Sequence, residues 1–359
     1  MDNSFFIIAA TFLGCFLITY AWFSFITRKL SSESFTFPLG RDIFLPLFIM
    51  TYSGITFLYF FLPEQHDQLF DLSYLNIAVI FLSTLFIYLI SLWPRTAKAN
   101  WLFFLAAATA GTVFLPSDFL LFEGTMPFWA DRLSLVLLWA TFAWGYKYLN
   151  GIDGLIATQT SLSMAGLAAL AFLGALPMLT GSFAGILLAA VAAFAVYNWY
   201  PAELSLNSAG CQALGFLTGW LFTIAAVEGD ASCCLILSLY YLVEFVWAAT
   251  LKLSRKPQHQ IMENNTFYYQ TNLSGLSPAS ICENIFKVNA LLVIFAGFQI
   301  YAPNNYSLPA LGLILTLWFI SHLRNWQEPV RSFKELNQET LRDIKDNIED
   351  FKKNINKDN

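Results

Sequence analysis

Long apolar stretches separated by short polar breaks set the rhythm of this chain from its first turn, FFIIAATFLGCFLITYAWFSFI, almost to its end. Cut at the breaks, it yields eleven apolar runs, roughly 5–27, 43–62, 74–93, 101–116, 132–149, 155–174, 181–200, 211–227, 231–251, 281–301 and 307–323. Each is close to the ~20 residues that a helix needs to cross the hydrocarbon of a bilayer. The pattern predicts an all-α, polytopic integral membrane protein of about eleven transmembrane helices, with a transmembrane domain over residues 1–327. The first run has no basic segment before it and no small-residue cleavage site after it, so it reads as a span and not as a removable signal peptide. After Trp326 the pattern changes to charged residues with Leu336, Leu341, Ile344, Ile348 and Phe351 at helical spacing. That tail, 328–359, predicts a cytoplasmic amphipathic helix lying on the membrane surface or against a partner.

Composition and charge sharpen this picture. Of 359 residues, 57% are hydrophobic and only 12% charged, too few to cover the surface of a soluble protein or to make a nucleic-acid-binding face. If the N-terminus lies outside, the inner segments hold Arg28, Lys29, Arg41, Arg95, Lys98, Lys147, Lys252, Arg255, Lys256 and the basic residues of the tail, whereas the outer ones hold only Arg132. The positive-inside rule then predicts an N-out, C-in orientation. The outer segments, PEQHDQLFDLS and SDFLLFEGTMPFWAD, are short and acidic. Cys15, Cys211, Cys233, Cys234 and Cys282 lie in or beside apolar runs without metal-ligand spacing and read as buried thiols. The 36 phenylalanines and 11 tryptophans read as lipid-facing packing and interfacial anchors, and Gly166, Gly174, Gly185 and Gly219 as close helix contacts.

Three inner segments carry candidate chemistry. WGYKYLNGIDGLIA, ending the fifth run, aligns without gaps on a motif of the form N-L-Y-N-F-M-D-G-I-D-G-I-A, with Tyr146, Gly151, Ile152, Asp153, Gly154 and Leu155 in agreement. VYNWYPAELSLNSAGCQALGF aligns on P-W-N-x-P-P-A-x-I-F-M-G-D-x-G-S-x-x-L-G-F through Asn198, Pro201, Ala202, Gly210, Leu214, Gly215 and Phe216. A weaker echo of S-S-H-x-x-P-T-P-R-G-G-G keeps Ser31, Ser32, Pro38 and Gly40. Through these blocks, from about residue 28 to 325, the chain resembles the polyprenyl-phosphate N-acetylhexosamine-1-phosphate transferases (glycosyltransferase family 4 type). These membrane enzymes begin peptidoglycan, O-antigen lipopolysaccharide and related envelope glycans by moving a sugar phosphate from a UDP-sugar onto undecaprenyl phosphate.

The resemblance implies a bacterial inner-membrane protein, a magnesium-dependent reaction and a metal and diphosphate site built from loop carboxylates and histidines. Phosphoryl transfer depends on positioning and on neutralising phosphate charge, and at the implied positions this chain has lost most of the means. The acidic pair at the end of the third span is replaced by Trp93, Pro94 and Arg95. In the fifth-span motif Lys147 and Asn150 stand where the family has asparagine and aspartate, leaving Asp153 as the sole acid and the one metal candidate. Asn207 and Ser208 occupy the glycine–aspartate pair, and Asn264 and Phe267 the histidine places in NNTFYYQ, where Tyr269 and Gln270 persist and His259 lies upstream.

The reading that follows is a retained scaffold without catalysis, needing no cofactor. It would bind membrane lipids such as undecaprenyl phosphate through Lys147, Lys252, Arg255 and Lys256, or regulate an active transferase or other envelope-glycan enzyme, as a monomer or a homo-oligomer. For most of these cations topology alone is a sufficient explanation; Lys147, inside the motif, is the exception. The alternative is a divergent active transferase that moves HexNAc-1-phosphate to undecaprenyl phosphate, with Glu203 or Glu263 helping Asp153 rebuild a Mg2+ site. Transport is a third class, resting on Glu244, Glu283 and Lys287, of which the last two form an i,i+4 pair.

Overall fold

The computed structural model describes residues 3–30, 43–61, 74–93, 97–115, 119–122, 125–254, 277–303 and 305–325. They form eleven α-helices: α1 (Asn3–Leu30), α2 (Phe44–Phe61), α3 (Tyr74–Ser91), α4 (Ala97–Val113), α5 (Phe128–Gly145), α6 (Leu155–Phe172), α7 (Met178–Asn198), α8 (Ser208–Glu228), α9 (Ala231–Ser254), α10 (Pro278–Gln299) and α11 (Ser307–Asn325). A 3-10 turn, Tyr146–Leu149, follows α5, and the described residues contain no β-strand. Eight of the helices are long and apolar enough to cross a membrane, the build of a multi-pass membrane protein. The apolar parts of α4 and α11, Trp101–Val113 and Ser307–His322, are shorter, and α5 carries Asp131 in its first turn. The charged tail and the boundary near residue 327 lie outside the described residues.

Helices prevail because hydrocarbon offers the backbone no hydrogen-bonding partner, so each segment must satisfy its own N–H and C=O groups. Hydroxyls inside the helices do the same: Thr19, Thr51, Thr84 and Thr316 each donate to the carbonyl four residues earlier, at 2.6 to 2.9 Å. The ends carry local signals. Asn207 caps α8 by accepting the Gly210 N–H at 2.7 Å, and Ser277 caps α10 ahead of Pro278. At the end of α6, Gly174 takes φ +78°, Ala175 N–H donates to Leu170 O and Gly174 N–H to Ala171 O, a paired closure that frees the chain to turn back into α7.

α8 is the hub of the bundle. Some 89% of its span is buried inside the protein, against 11% for α1, which lies at the periphery against α2 and α7. The hub packs on α3 and α5. Trp139 of α5 stacks on Phe216, with ring centroids 4.5 Å apart, and donates its indole N–H to the Phe216 carbonyl at 2.9 Å. Small residues permit this approach: a Cβ on Gly219 would meet Trp139 at 2.9 Å, and one on Gly166 would overlap Leu237. Two of the four glycines read as close helix contacts do something else. Gly174 has open space around it and serves its left-handed turn, and Gly185 has only an ordinary contact with Phe12, at 3.7 Å. All five cysteines are free and buried.

Charged residues are placed economically. Asp131 is buried and accepts the amide N–H groups of Leu121 (3.0 Å) and Phe122 (2.6 Å), tying the preceding segment to α5. Glu244 is fully buried in α9, while Glu283 and Lys287 form the anticipated pair at 2.9 Å on an exposed face of α10.

Candidate functional site

The NGIDG loop sits where α5 ends and α6 begins, at the same end of the bundle as the α7–α8 connection and the start of α10. At its C-terminus α5 tightens into the 3-10 turn, as helix ends often do, and the Asn150 N–H closes that turn on Lys147 O at 3.1 Å. The loop enters α6 through Gly154 at φ +85°, a conformation that L side chains avoid. A Cβ there would come into contact with Cys282 Sγ and Trp199, both at 3.4 Å. The last glycine of the motif is therefore a requirement of the backbone.

The second block folds as a loop over 199–207, containing a cis Tyr200–Pro201 peptide bond. Glu203 and Leu204 both donate their N–H groups to Tyr197 O, at 2.9 and 3.1 Å, so the chain curls back on the end of α7. Asn198, nearly fully buried, holds this curl and the NGIDG loop at once. Its Nδ2 donates to Leu204 O at 3.0 Å and its Oδ1 accepts the Gly154 N–H at 3.1 Å. Asp153 completes the junction: a carboxylate oxygen accepts the Ala202 N–H at 3.1 Å, and its main-chain carbonyl accepts from Cys282 Sγ at 3.1 Å. Behind the loops, the buried hydroxyls of Tyr146 and Thr160 are 2.7 Å apart, and Tyr146 is the side chain that a Cβ on Gly215 would overlap. The two sequence blocks are thus in direct contact.

The remaining predicted positions are placed differently from one another. Asn150 and Ser208 are exposed, the first just after the 3-10 turn and the second in the first turn of α8. Asn207 is the α8 cap. Lys147 is half-buried, with its ammonium 4.4 Å from the centre of the Trp144 ring and 5.5 Å from that of Tyr148, both within cation–π reach. Lys252 lies in the last turns of α9. Pro94, Arg95, Arg255, Lys256, His259, Glu263, Asn264, Phe267, Tyr269, Gln270 and the first inner loop lie outside the described residues.

Two buried donors neighbour the Lys147 cluster: Trp144 Nε1 and Tyr148 Oη have no hydrogen-bond partner. Ammonium, indole N–H and phenol thus come from one turn, the last two enclosed within the protein. For magnesium the fit is poor. The ion wants near-octahedral oxygen ligation with carboxylates among the ligands, and no group of three or more His, Cys, Asp or Glu side chains able to hold a metal gathers among the described residues. Asp153 supplies one carboxylate, already engaged by an amide.

Sequence reasoning missed the parts played by Asn198, Cys282 and the Ala202 amide. Asn207, read only as a degenerate motif position, is the α8 cap as well, and an asparagine immediately before SAGCQALGF is the signal that could have found it. Nothing local marks Cys282, which reaches Asp153 only through the packing of α10 on α6. Compared with known proteins, the chain matches no family model and no curated protein.

Proposed function

We propose that this chain is a multi-pass protein of the bacterial cytoplasmic membrane, with eleven spans in an N-out, C-in arrangement, on the scaffold of the polyprenyl-phosphate sugar-1-phosphate transferases. In this reading it binds a lipid phosphate such as undecaprenyl phosphate, or an envelope-glycan enzyme as its partner, and does not carry out metal-dependent transfer. One observation carries it: the acid left in the NGIDG loop accepts the Ala202 N–H and joins two loops, and the positions where further acids are implied hold exposed Asn150 and Ser208. A carboxylate so engaged holds backbone in place. The half-buried Lys147 ammonium, beside the Trp144 and Tyr148 rings, supports retention of an anionic headgroup by charge, without a metal.

The test is release of UMP by purified full-length protein given polyprenyl phosphate, Mg2+ and a panel of UDP-N-acetylhexosamines, with binding of the lipid phosphate measured on the same sample. The expected result is binding without turnover, and weakening of binding by roughly tenfold in Lys147→Ala, the equivalent of ~1.4 kcal/mol. Magnesium-dependent turnover by the unmodified protein overturns the reading. It would favour the second one, a divergent active transferase, for which one observation speaks: the Asp153 partner Ala202 adjoins Glu203, an exposed acid of the same loop.

A further inference from the structure

On the eleven-span reading, on which this inference rests, the bundle is uneven in hydrophobic thickness. The apolar part of α4, Trp101–Val113, spans about 20 Å at ~1.5 Å per residue. On α5, which packs against it, the apolar stretch lies between Arg132 and Lys147, about 22 Å by the same measure. By contrast α1, on the α2–α7 side, has an apolar span of 25 residues, Phe5–Lys29, or about 37 Å. The hydrocarbon of an ordinary bilayer is about 30 Å thick.

Nothing at the outer end lengthens the α4–α5 edge. Past Val113 the helix stops, and the described residues between it and α5, 119–122 and 125–127, are not helical and include exposed Phe122, Thr125 and Met126. Hydrocarbon does not admit irregular backbone on its surface. Arg132 does not extend outward, because its guanidinium donates to the Thr112 and Leu115 carbonyls at the end of α4, at 3.1 and 3.5 Å. Asp131 is likewise engaged by the Leu121 and Phe122 amides. Exposed Trp129, one turn before Arg132, sits where an interfacial tryptophan belongs. At the inner end Lys147 closes the α5 stretch, and the 3-10 turn leads into the NGIDG loop.

The side chains of this edge suit lipid. Leu102 and Val113 on α4 and Leu133 and Leu138 on α5 are each more than half exposed, whereas Gly111, where another helix could approach most closely, faces Trp139 and Ile80 within the protein. A short span bordered by lipid is accommodated by a thinner bilayer. We propose that the α4–α5 edge is a lipid-contact surface that thins the membrane beside it to about 22 Å of hydrocarbon, its partner being membrane phospholipid with splayed acyl chains. Headgroups of the inner leaflet then stand level with Lys147 and the NGIDG loop.

Electron paramagnetic resonance of spin-labelled full-length protein in dioleoylphosphatidylcholine vesicles tests this. Labels go on Lys98→Cys and Val113→Cys of α4 and, for reference, on Ala10→Cys and Phe25→Cys of α1; the native cysteines are buried. Each pair is separated by about 22 Å along its helix, so in a bilayer of even thickness the two members of a pair cannot both reach water. Both α4 labels are expected to collide with a water-soluble nickel chelate about fivefold more often than either α1 label. Shielding of one α4 label to the α1 level means a displaced helix and overturns the proposal, as does shielding of both. Loss of oxygen access at Val113 overturns it too, by showing that protein, such as a second copy, covers the edge. Thr125→Cys and Lys98→Cys, treated with an impermeant maleimide in spheroplasts, check the span itself: Thr125→Cys reacts at once and Lys98→Cys only after permeabilisation. Reaction of both before permeabilisation removes the eleven-span reading and this inference with it, whereas correct sidedness with shielded α4 labels overturns the inference alone.

Discussion

Asn198→Ala removes a side chain that bonds to both candidate-site loops. Two buried groups lose their partner, the Gly154 N–H and the Leu204 carbonyl, at 3.1 and 3.0 Å. Leaving a buried polar group unpaired costs about 1–3 kcal/mol, and water at the end of the bundle relieves part of that, so about 2–3 kcal/mol is expected for the pair. Spread over local opening, this is roughly a 30- to 140-fold rise in the open population. Hydrogen exchange followed by mass spectrometry reads it directly, because amide protection tracks the opening equilibrium. Peptides covering 150–155 and 201–206 should lose protection by that factor, while the α6 interior, Thr160 to Leu170, stays unchanged. Asn198→Asp adds direction: the acceptor for Gly154 survives, but a carboxylate replaces the donor facing Leu204 O, so the second peptide loosens more than the first. Protection within threefold of wild type in both peptides of Asn198→Ala would refute the idea that this side chain holds the loops together.

Other substitutions separate frame from chemistry. Gly215→Ala drives a methyl into Tyr146 close to its backbone and should lower stability by about 2–3 kcal/mol, whereas Gly297→Ala, with open space around it, should be neutral or up to ~1 kcal/mol stabilising; thermal unfolding in detergent ranks the two, and equal effects would discredit the packing argument. Gly154→Ala should cost about 1–2 kcal/mol through its positive φ, read in the same assay. Asp153→Asn keeps an oxygen for the Ala202 N–H and should change loop exchange less than about threefold, while Asp153→Ala, losing a hydrogen bond worth ~1 kcal/mol, raises it about fivefold. Should the asparagine variant behave like the alanine one, the carboxylate charge matters and the docking role is wrong.

Each of the eleven helices among the described residues falls on an apolar run, but the runs misjudged their ends, for a physical reason. A run marks the part of a helix that suits hydrocarbon, whereas the helix itself begins at its cap. Thus α8 and α10 start at Ser208 and Pro278, each a few residues before the corresponding run, behind Asn207 and Ser277. The fifth run was displaced by about one turn. Asp131 and Arg132 hid its start because their partners, the Leu121 and Phe122 amides and the Thr112 carbonyl, come from other segments. Its apolar end, Tyr146–Leu149, proved to be 3-10 because the chain must turn into the NGIDG loop. The site divided along the same line. Glycines with a backbone task were recognisable, and contacts made only by packing, such as Cys282 on Asp153, were not.

The positions that carry the resemblance have work to do in the frame: Gly154 in its left-handed turn, Asn198 between two loops, Gly215 against Tyr146. Asn150 and Ser208, which depart from it, are exposed. The fold therefore places little demand on what stands there, and restoring acids should leave it intact. Ser208→Asp sits in the first turn of α8, where a negative charge meets the positive end of the helix dipole and gains about 0.3–1 kcal/mol. Asn150→Asp follows the C-terminal end of α5 and loses a comparable amount by the same argument, so the double variant should unfold within about 0.5 kcal/mol of wild type. Stability and UMP release measured on one preparation then separate two causes of the proposed inactivity. A stable double variant that gains magnesium-dependent turnover means that the missing carboxylates were the defect. A stable one that gains none means that the loops no longer place donor and acceptor substrates for transfer, and the scaffold reading rests on geometry as well as charge. Marked destabilisation by either substitution would contradict the claim that these two positions are free of structural duty.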